Sequence, residues 1–243
     1  MATVPGRLHV RSDGRVAGPA TIEYNDPFPC VNGSWGSGDM NGVVMHTMVG
    51  NLPGTISVFN QASYQASAHF GIDQQGKIHQ FGPIGKGWIA WAQVAGNEAW
   101  YSIEHADNGN TQNPLTDAQI TASAQVVEVL SRFAGFPLQV TDSVTGRGYG
   151  IHNMGGEAWG GHTCPGPGPR SGQRAAIIEL AKQIRHRHAT PTQTWQAKAL
   201  AQAGALAVAL TALTADLQGD ALVKAKAIEA DAAALADLLG QHQ

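Results

Sequence analysis

The chain has 243 residues, of which 43% are hydrophobic and 14% charged, with a formal net charge of -3. That length and apolar share suit one sizeable domain plus an accessory piece and exclude a chain too polar to bury a core. The mild acidity provides no basic excess for nucleic acid or an anionic membrane, and no apolar run approaches the roughly 18 to 20 residues of a membrane span.

The first 40 or so residues are rich in Gly, Pro, Asn and Asp and are expected to form loops with short extended pieces. Their start lacks the basic-then-apolar layout of a secretory signal, so the product is expected to be soluble as made and to need another route out of the cytoplasm. Val43-Val44-Met45-His46 is a β-branched, apolar run that predicts a buried strand ending on His46. Residues 56–64 predict a short helix. Residues 68–72 and 77–81 flank Asp73-Gln74-Gln75-Gly76, the signature of a hairpin with glycine at its turn. Residues 100–105 predict another strand. Thr116-Asp117-Ala118-Gln119 is a capping box opening a helix whose Ile120, Val127, Leu130 and Phe133 share a face, with Gly135 as its stop. Residues 141–170 are Gly- and Pro-rich and are expected to be a long functional loop. Residues 171–186 predict a closing helix.

Composition shifts at Thr190-Pro191, beyond which about one residue in three is alanine, far above ordinary usage. A second capping box, Thr190-Pro191-Thr192-Gln193, precedes Leu206, Leu210, Leu213 and Leu217, spaced as in a heptad seam. Gly219-Asp220 interrupts, and Leu222, Ile228, Leu235 and Leu239 follow. Residues 190–243 are therefore expected to be a helical hairpin, separate from a domain spanning 1–189. Its short seam must pack on itself, on the main domain or on another copy in a homo-oligomer.

Three features carry chemistry: His46 at a strand end, His152 in Gly150-Ile151-His152-Asn153, and Cys164 in Gly161-His162-Thr163-Cys164-Pro165-Gly166. Two imidazoles and a thiolate give one zinc ion three protein ligands and leave a fourth position open, the pattern of a catalytic rather than a structural site. Zinc in such a site polarises a carbonyl and acidifies water, which is what amide hydrolysis requires. The spacings match no short local zinc pattern, and a lone strand-end histidine is more often a satisfied core residue. His162 and Cys164, two residues apart, can also both reach one metal. The second cysteine, Cys30, carries no motif, and a single disulfide with Cys164 stays open.

Residues 42–185 resemble the zinc amidases related to peptidoglycan recognition proteins. Val43-Val44-Met45-His46-Thr47 is similar to the family's strand ending in the first ligand, and Ser67-Ala68-His69-Phe70-Gly71-Ile72 to its hairpin. Trp88 to Trp91 is similar to the aromatic segment beside the cleft, and Ser102-Ile103-Glu104-His105 to the strand with an acidic residue near the metal. His152 and Thr163-Cys164-Pro165-Gly166 match the last two ligands, and the long Gly-rich interval between them resembles amidases of actinobacterial phages.

The resemblance implies an α/β fold, a central mixed β-sheet flanked by helices, with one Zn2+ held by His46, His152 and Cys164. It implies Glu104 as general base and His162 as the group steadying the oxyanion, with His69, Trp88 and Trp159 lining the substrate groove. Some family members carry a catalytic tyrosine where this chain has Ala68, which moves the catalytic burden to Glu104. The implied partner is peptidoglycan, cut between N-acetylmuramic acid and L-alanine, without nucleic acid or membrane insertion. The implied setting is a phage endolysin released through a holin pore. The rivals are a cytoplasmic muropeptide-recycling amidase, a non-catalytic peptidoglycan-binding module and a phage assembly protein.

Overall fold

The computed structural model describes residues 4–24, 31–32, 40–85, 88–166 and 168–188, and the single helical positions 202, 205, 226, 228 and 230. In chain order the strands are β1 (His9–Val10), β2 (Val16–Ala17), β3 (Ile22–Tyr24), β4 (Val31–Asn32), β5 (Gly42–Thr47), β6 (Phe70–Ile72), β7 (Ile78–Gln80), β8 (Ile89–Ala90), β9 (Trp100–His105) and β10 (Gly148–Ile151). The helices are α1 (Leu52–Phe59), α2 (Asp117–Ala134) and α3 (Arg170–Arg187), with 3-10 segments at Ala62–Tyr64, Val94–Gly96 and His152–Trp159.

Six strands make one mixed sheet in the order β10-β5-β9-β6-β7-β3. The run β10-β5-β9-β6 is parallel, β6 and β7 form the antiparallel hairpin, and β3 joins β7 in parallel. Two small antiparallel ribbons, β1-β2 and β4-β8, stand apart from it. β5 is buried along its whole length, as a central parallel strand covered on both faces must be. Because side chains alternate along a strand, its residues divide between the two faces. Val43 and Met45 join the main core with α2 and α3, while Val44 packs with Trp100 and Trp159 on the other face. β9 divides in the same way, with Tyr101 and Ile103 in the main core and Trp100 on the opposite side.

α2 opens on the predicted box, in which Thr116 and Gln119 cap each other's backbone N–H, and it ends at Gly135 in a left-handed conformation. The buried Gln119 amide also donates to Ala106 O (2.9 Å), tying this helix start to the end of β9. α3 lays Ile177, Ile178, Ala181 and Ile184 into the same core.

Two expectations are corrected. The helix placed at 56–64 begins earlier, at Leu52, because Asn51 caps it by accepting from Gly54 N (2.9 Å) with Pro53 in the first turn; only a 3-10 turn follows at Ala62–Tyr64. The segment 141–170 is not a continuous loop, since it contains β10 and the 3-10 segment His152–Trp159, kinked at Gly156. β10 escapes sequence reading because Gly148 and Gly150 have low strand propensity, yet glycine is what the site needs. A Cβ on Gly42 would lie 1.8 Å from Gly148 O, and Gly148 itself has φ +135°, so this edge of the sheet closes only around glycine.

The chain separates into two compact units, residues 1–187 and 188–243. The predicted C-terminal hairpin, apart from its isolated helical positions, and Cys30 lie outside the described residues. Among the described residues, no helix is long and apolar enough to cross a membrane.

Candidate metal centre

The parallel register assembles the site. His46 follows Val44 by two residues on β5 and so shares its face, and β9 is aligned to put Glu104 directly beside it. On β10, Tyr149 and Ile151 point into the main core, so His152, the next residue, emerges on the face of His46 and Glu104. Three neighbouring parallel strands thus deliver two imidazoles and a carboxylate at their C-terminal ends, where open α/β sheets place ligands. Cys164 arrives from the loop before α3, where Asn153 N–H donates to its carbonyl oxygen (2.9 Å).

One ligand atom each from His46, His152 and Cys164 lies within 4.8 Å of the others, close enough to hold one metal ion. The histidines are 3% and 6% exposed, with ring centroids 4.6 Å apart. Their outer nitrogens are occupied: His46 Nε2 meets Gln93 Oε1 at 3.1 Å, and His152 Nε2 meets the Trp159 carbonyl at 2.9 Å. An amide or peptide oxygen only accepts, so both Nε2 atoms carry the proton and both Nδ1 atoms keep a lone pair. Burial, and then His152, hold His46 well below the ordinary imidazole range, and burial lowers His152 as well. Both rings are therefore neutral at pH 7, the form a metal requires.

Cys164 Sγ accepts from Thr47 N–H (3.2 Å). Burial and the neighbouring Glu104 push its thiol up to about 12, a cost that a bound cation reverses by stabilising the thiolate. Glu104 is pushed up to about 8 by burial, reinforced by Asp107, and its Oε2 is buried without a hydrogen-bond partner. Two lone-pair nitrogens and a half-buried thiol are the donor set of a divalent metal with a thiolate ligand, and an unpartnered carboxyl oxygen lies beside them. The residues present fit zinc.

A cavity of about 420 Å3 opens over these groups, lined among others by His46, Thr47, Glu104, His152, His162 and Cys164. His162 stands exposed on its rim, its ring 5.0 Å from that of His152. The other expected groove residues sit elsewhere. His69 is 3% exposed beneath the sheet surface, where Nδ1 accepts from Ser102 N–H (3.1 Å) and burial holds it near pKa 3. Trp159 is 4% exposed, edge-on to Trp100 at 5.9 Å. Trp88 is half-buried over Gly82. None of the three is among the residues that line this cavity.

Sequence reasoning missed the groups that brace the ligands. Arg170, 1% exposed at the start of α3, donates to Thr47 Oγ1 (3.1 Å), Ala106 O (3.1 Å) and Asn113 O (2.8 Å). Thr47 in turn donates to the buried Asp107 (3.0 Å), whose other oxygen holds Gly50 N–H and Gly109 N–H. This network fixes the backbone N–H that meets Cys164. Gln93, Asp107 and Arg170 stand in no motif, and only their burial as polar side chains marks them.

The fold and this centre define an α/β domain with a mixed sheet, in which His46, His152 and Cys164 lie close enough to hold a metal ion. The model of the N-acetylmuramoyl-L-alanine amidase family matches residues 36–167, more than half of the chain, and the chain belongs to that family. It is 32% identical over 104 residues to N-acetylmuramoyl-L-alanine amidase A of Achromobacter lyticus, covering 42% of this chain and 58% of that protein. The chain thus spans a little over half the length of that curated relative. Among solved structures, the Staphylococcus aureus hydrolase AmiA, crystallised with its ligand, shares the fold with a TM-score of 0.53 at 16% identity, over 70% of this chain and 85% of that one.

Proposed function

We propose that this chain is a zinc-dependent peptidoglycan hydrolase that cleaves the amide between the lactyl group of N-acetylmuramic acid and L-alanine. The observation that carries this reading is the meeting of His46, His152 and Cys164 beside the unpartnered Glu104 carboxyl at one end of the parallel strands. Zinc, when bound by these three residues, supplies Lewis-acid polarisation of the amide carbonyl and acidifies water.

The protein's own groups do the rest. Glu104 Oε2 takes the proton from the attacking water as its oxygen bonds to the carbonyl carbon. The same oxygen returns that proton to the amine of L-alanine as the C–N bond breaks, leaving a lactyl carboxylate and a free amine. A cation held by the three ligands would favour the ionised form of this carboxyl, the form that accepts the proton. His162, on the cavity rim, donates a hydrogen bond to the carbonyl oxygen as charge builds there. Residues 1–189 act as the catalytic domain with an N-terminal extension, and 190–243 as a helical accessory segment for wall binding, packing or oligomerisation. The setting is host lysis by a phage of actinobacteria, with release through a holin.

Zymography on purified cell walls tests this, with and without a chelator. Clearing that depends on zinc and yields new N-terminal alanine is expected; clearing that survives chelation refutes the mechanism. Absence of clearing by zinc-loaded protein favours a binding or assembly role.

A further inference from the structure

We infer that Gln93 is a positioning residue for the metal centre, holding His46 in the one tautomer and ring orientation in which Nδ1 faces the metal. This deepens the zinc reading above and rests on it.

Gln93 is 1% exposed and carries no part in the cavity wall. Its amide has one orientation. Nε2 donates to Trp100 O (3.0 Å) and, more weakly, to Gly96 O (3.4 Å), so Oε1 is the atom that faces His46. A reversed amide would set two acceptors against each other at both Trp100 and Gly96. With Oε1 fixed, His46 Nε2 must carry the proton.

The turn that presents Gln93 is itself pinned. Asn97 Oδ1 accepts from Ala92 N–H (2.9 Å) and Gln93 N–H (2.7 Å), closing a tight cap over residues 92–97. The next residue, Val94, is a β-branched side chain held at φ +46°, a conformation that persists only where surrounding contacts impose it. Gly96 lies so near the Trp159 ring that a Cβ there would be 2.5 Å from it. One packed contact therefore joins the turn that orients His46 to the segment whose Trp159 carbonyl orients His152. Hydrogen-bonded partners of metal-bound histidines raise affinity by removing the wrong tautomer and the wrong rotamer before binding.

The test uses the full chain, first without metal. Nitrogen-15 shifts of the His46 ring in the wild-type protein should show a single species protonated on Nε2. A ring protonated on Nδ1, or an equal mixture, overturns the assignment and needs no variant. Zinc affinity is then measured by competition with a chromogenic chelator. Gln93→Leu, close in size but without hydrogen bonds, should bind zinc on the order of 10- to 100-fold more weakly. It should also lose the single His46 tautomer. Gln93→Glu, whose protonated form donates to Trp100 O and keeps an acceptor oxygen toward His46, should recover most of the affinity. Wild-type affinity in a folded Gln93→Leu protein refutes the positioning role. Failure of the wild-type protein itself to bind zinc refutes the zinc reading instead, and the metal-free tautomer still decides the fate of Gln93.

Discussion

Glu104→Gln should stabilise the metal-free protein while destroying its activity. The substitution keeps the shape of the side chain and removes its charge. Burial, with Asp107 adding to it, pushes the wild-type carboxyl up to about 8, against 4.5 for an ordinary glutamate, and Oε2 has no partner. An acid with a higher pKa folded than unfolded holds its proton more tightly in the folded protein. The stability linked to that proton is fully present below pH 4.5 and is lost as pH rises through 8. One pKa unit corresponds to about 1.4 kcal/mol, so half of that interval is worth about 2 kcal/mol. Glutamine has nothing to ionise and suffers no such loss, and without the Glu104 charge the Cys164 thiol is raised less, which acts in the same direction. For a domain of this size the variant should melt about 4 to 8 °C above wild type at pH 9 and within about a degree or two of it at pH 5. Thermal melts of both proteins after chelation, at pH 5, 7 and 9, read this directly. Clearing assays on the zinc-loaded pair should show a loss of about 100-fold or more, the scale of general acid–base catalysis. A melting difference that does not grow with pH refutes the account of the buried carboxyl, and a variant that clears walls at the wild-type rate refutes its role as base.

Cys164→Ser should retain less than one zinc per chain after dialysis and lose wall clearing, as read by metal analysis and zymography; full metal content with full activity would remove Cys164 from the ligand set. Chelation should abolish wild-type clearing and added zinc should restore it, whereas the Cys164→Ser protein should not recover. Gly96→Ala sets a methyl against the Trp159 ring and should cost about 1–3 kcal/mol, the range for overpacking, with weakened zinc binding because the same contact braces both histidines; an unchanged melting temperature would show that the ring moves aside freely. A chain ending at His188 should still hydrolyse a soluble muropeptide, since every residue of the centre lies before it, and loss of that activity would make the C-terminal segment part of the catalytic fold.

Local signals carried much of the fold. The β5 run, the β6–β7 hairpin, β9 and the capping box of α2 all stand where periodicity and turn chemistry place them, because each depends on residues close in sequence. β10 does not, since its strand character comes from pairing with β5 across a hundred residues of chain and from glycines that permit the approach. Ordered motifs single out the metal trio, with His162 a competitor for His152. Geometry separates them: the buried His152 follows β10 on the site face, and the exposed His162 stacks against it from the rim.

The sequence by itself determined which chemistry was present: imidazoles, a thiolate and a carboxylate in motifs of recognisable order. Only the tertiary structure decided how they are used. Parallel register and the two-residue alternation of strands put His46, Glu104 and His152 on one face, and a one-residue slip of β9 or β10 would turn its group into the opposite core. The same packing buried His69 and Trp159 and recruited Gln93, Thr47, Asp107 and Arg170 as braces. Those roles depend on side-chain direction and on hydrogen bonds between residues far apart in the chain, and no local pattern encodes either.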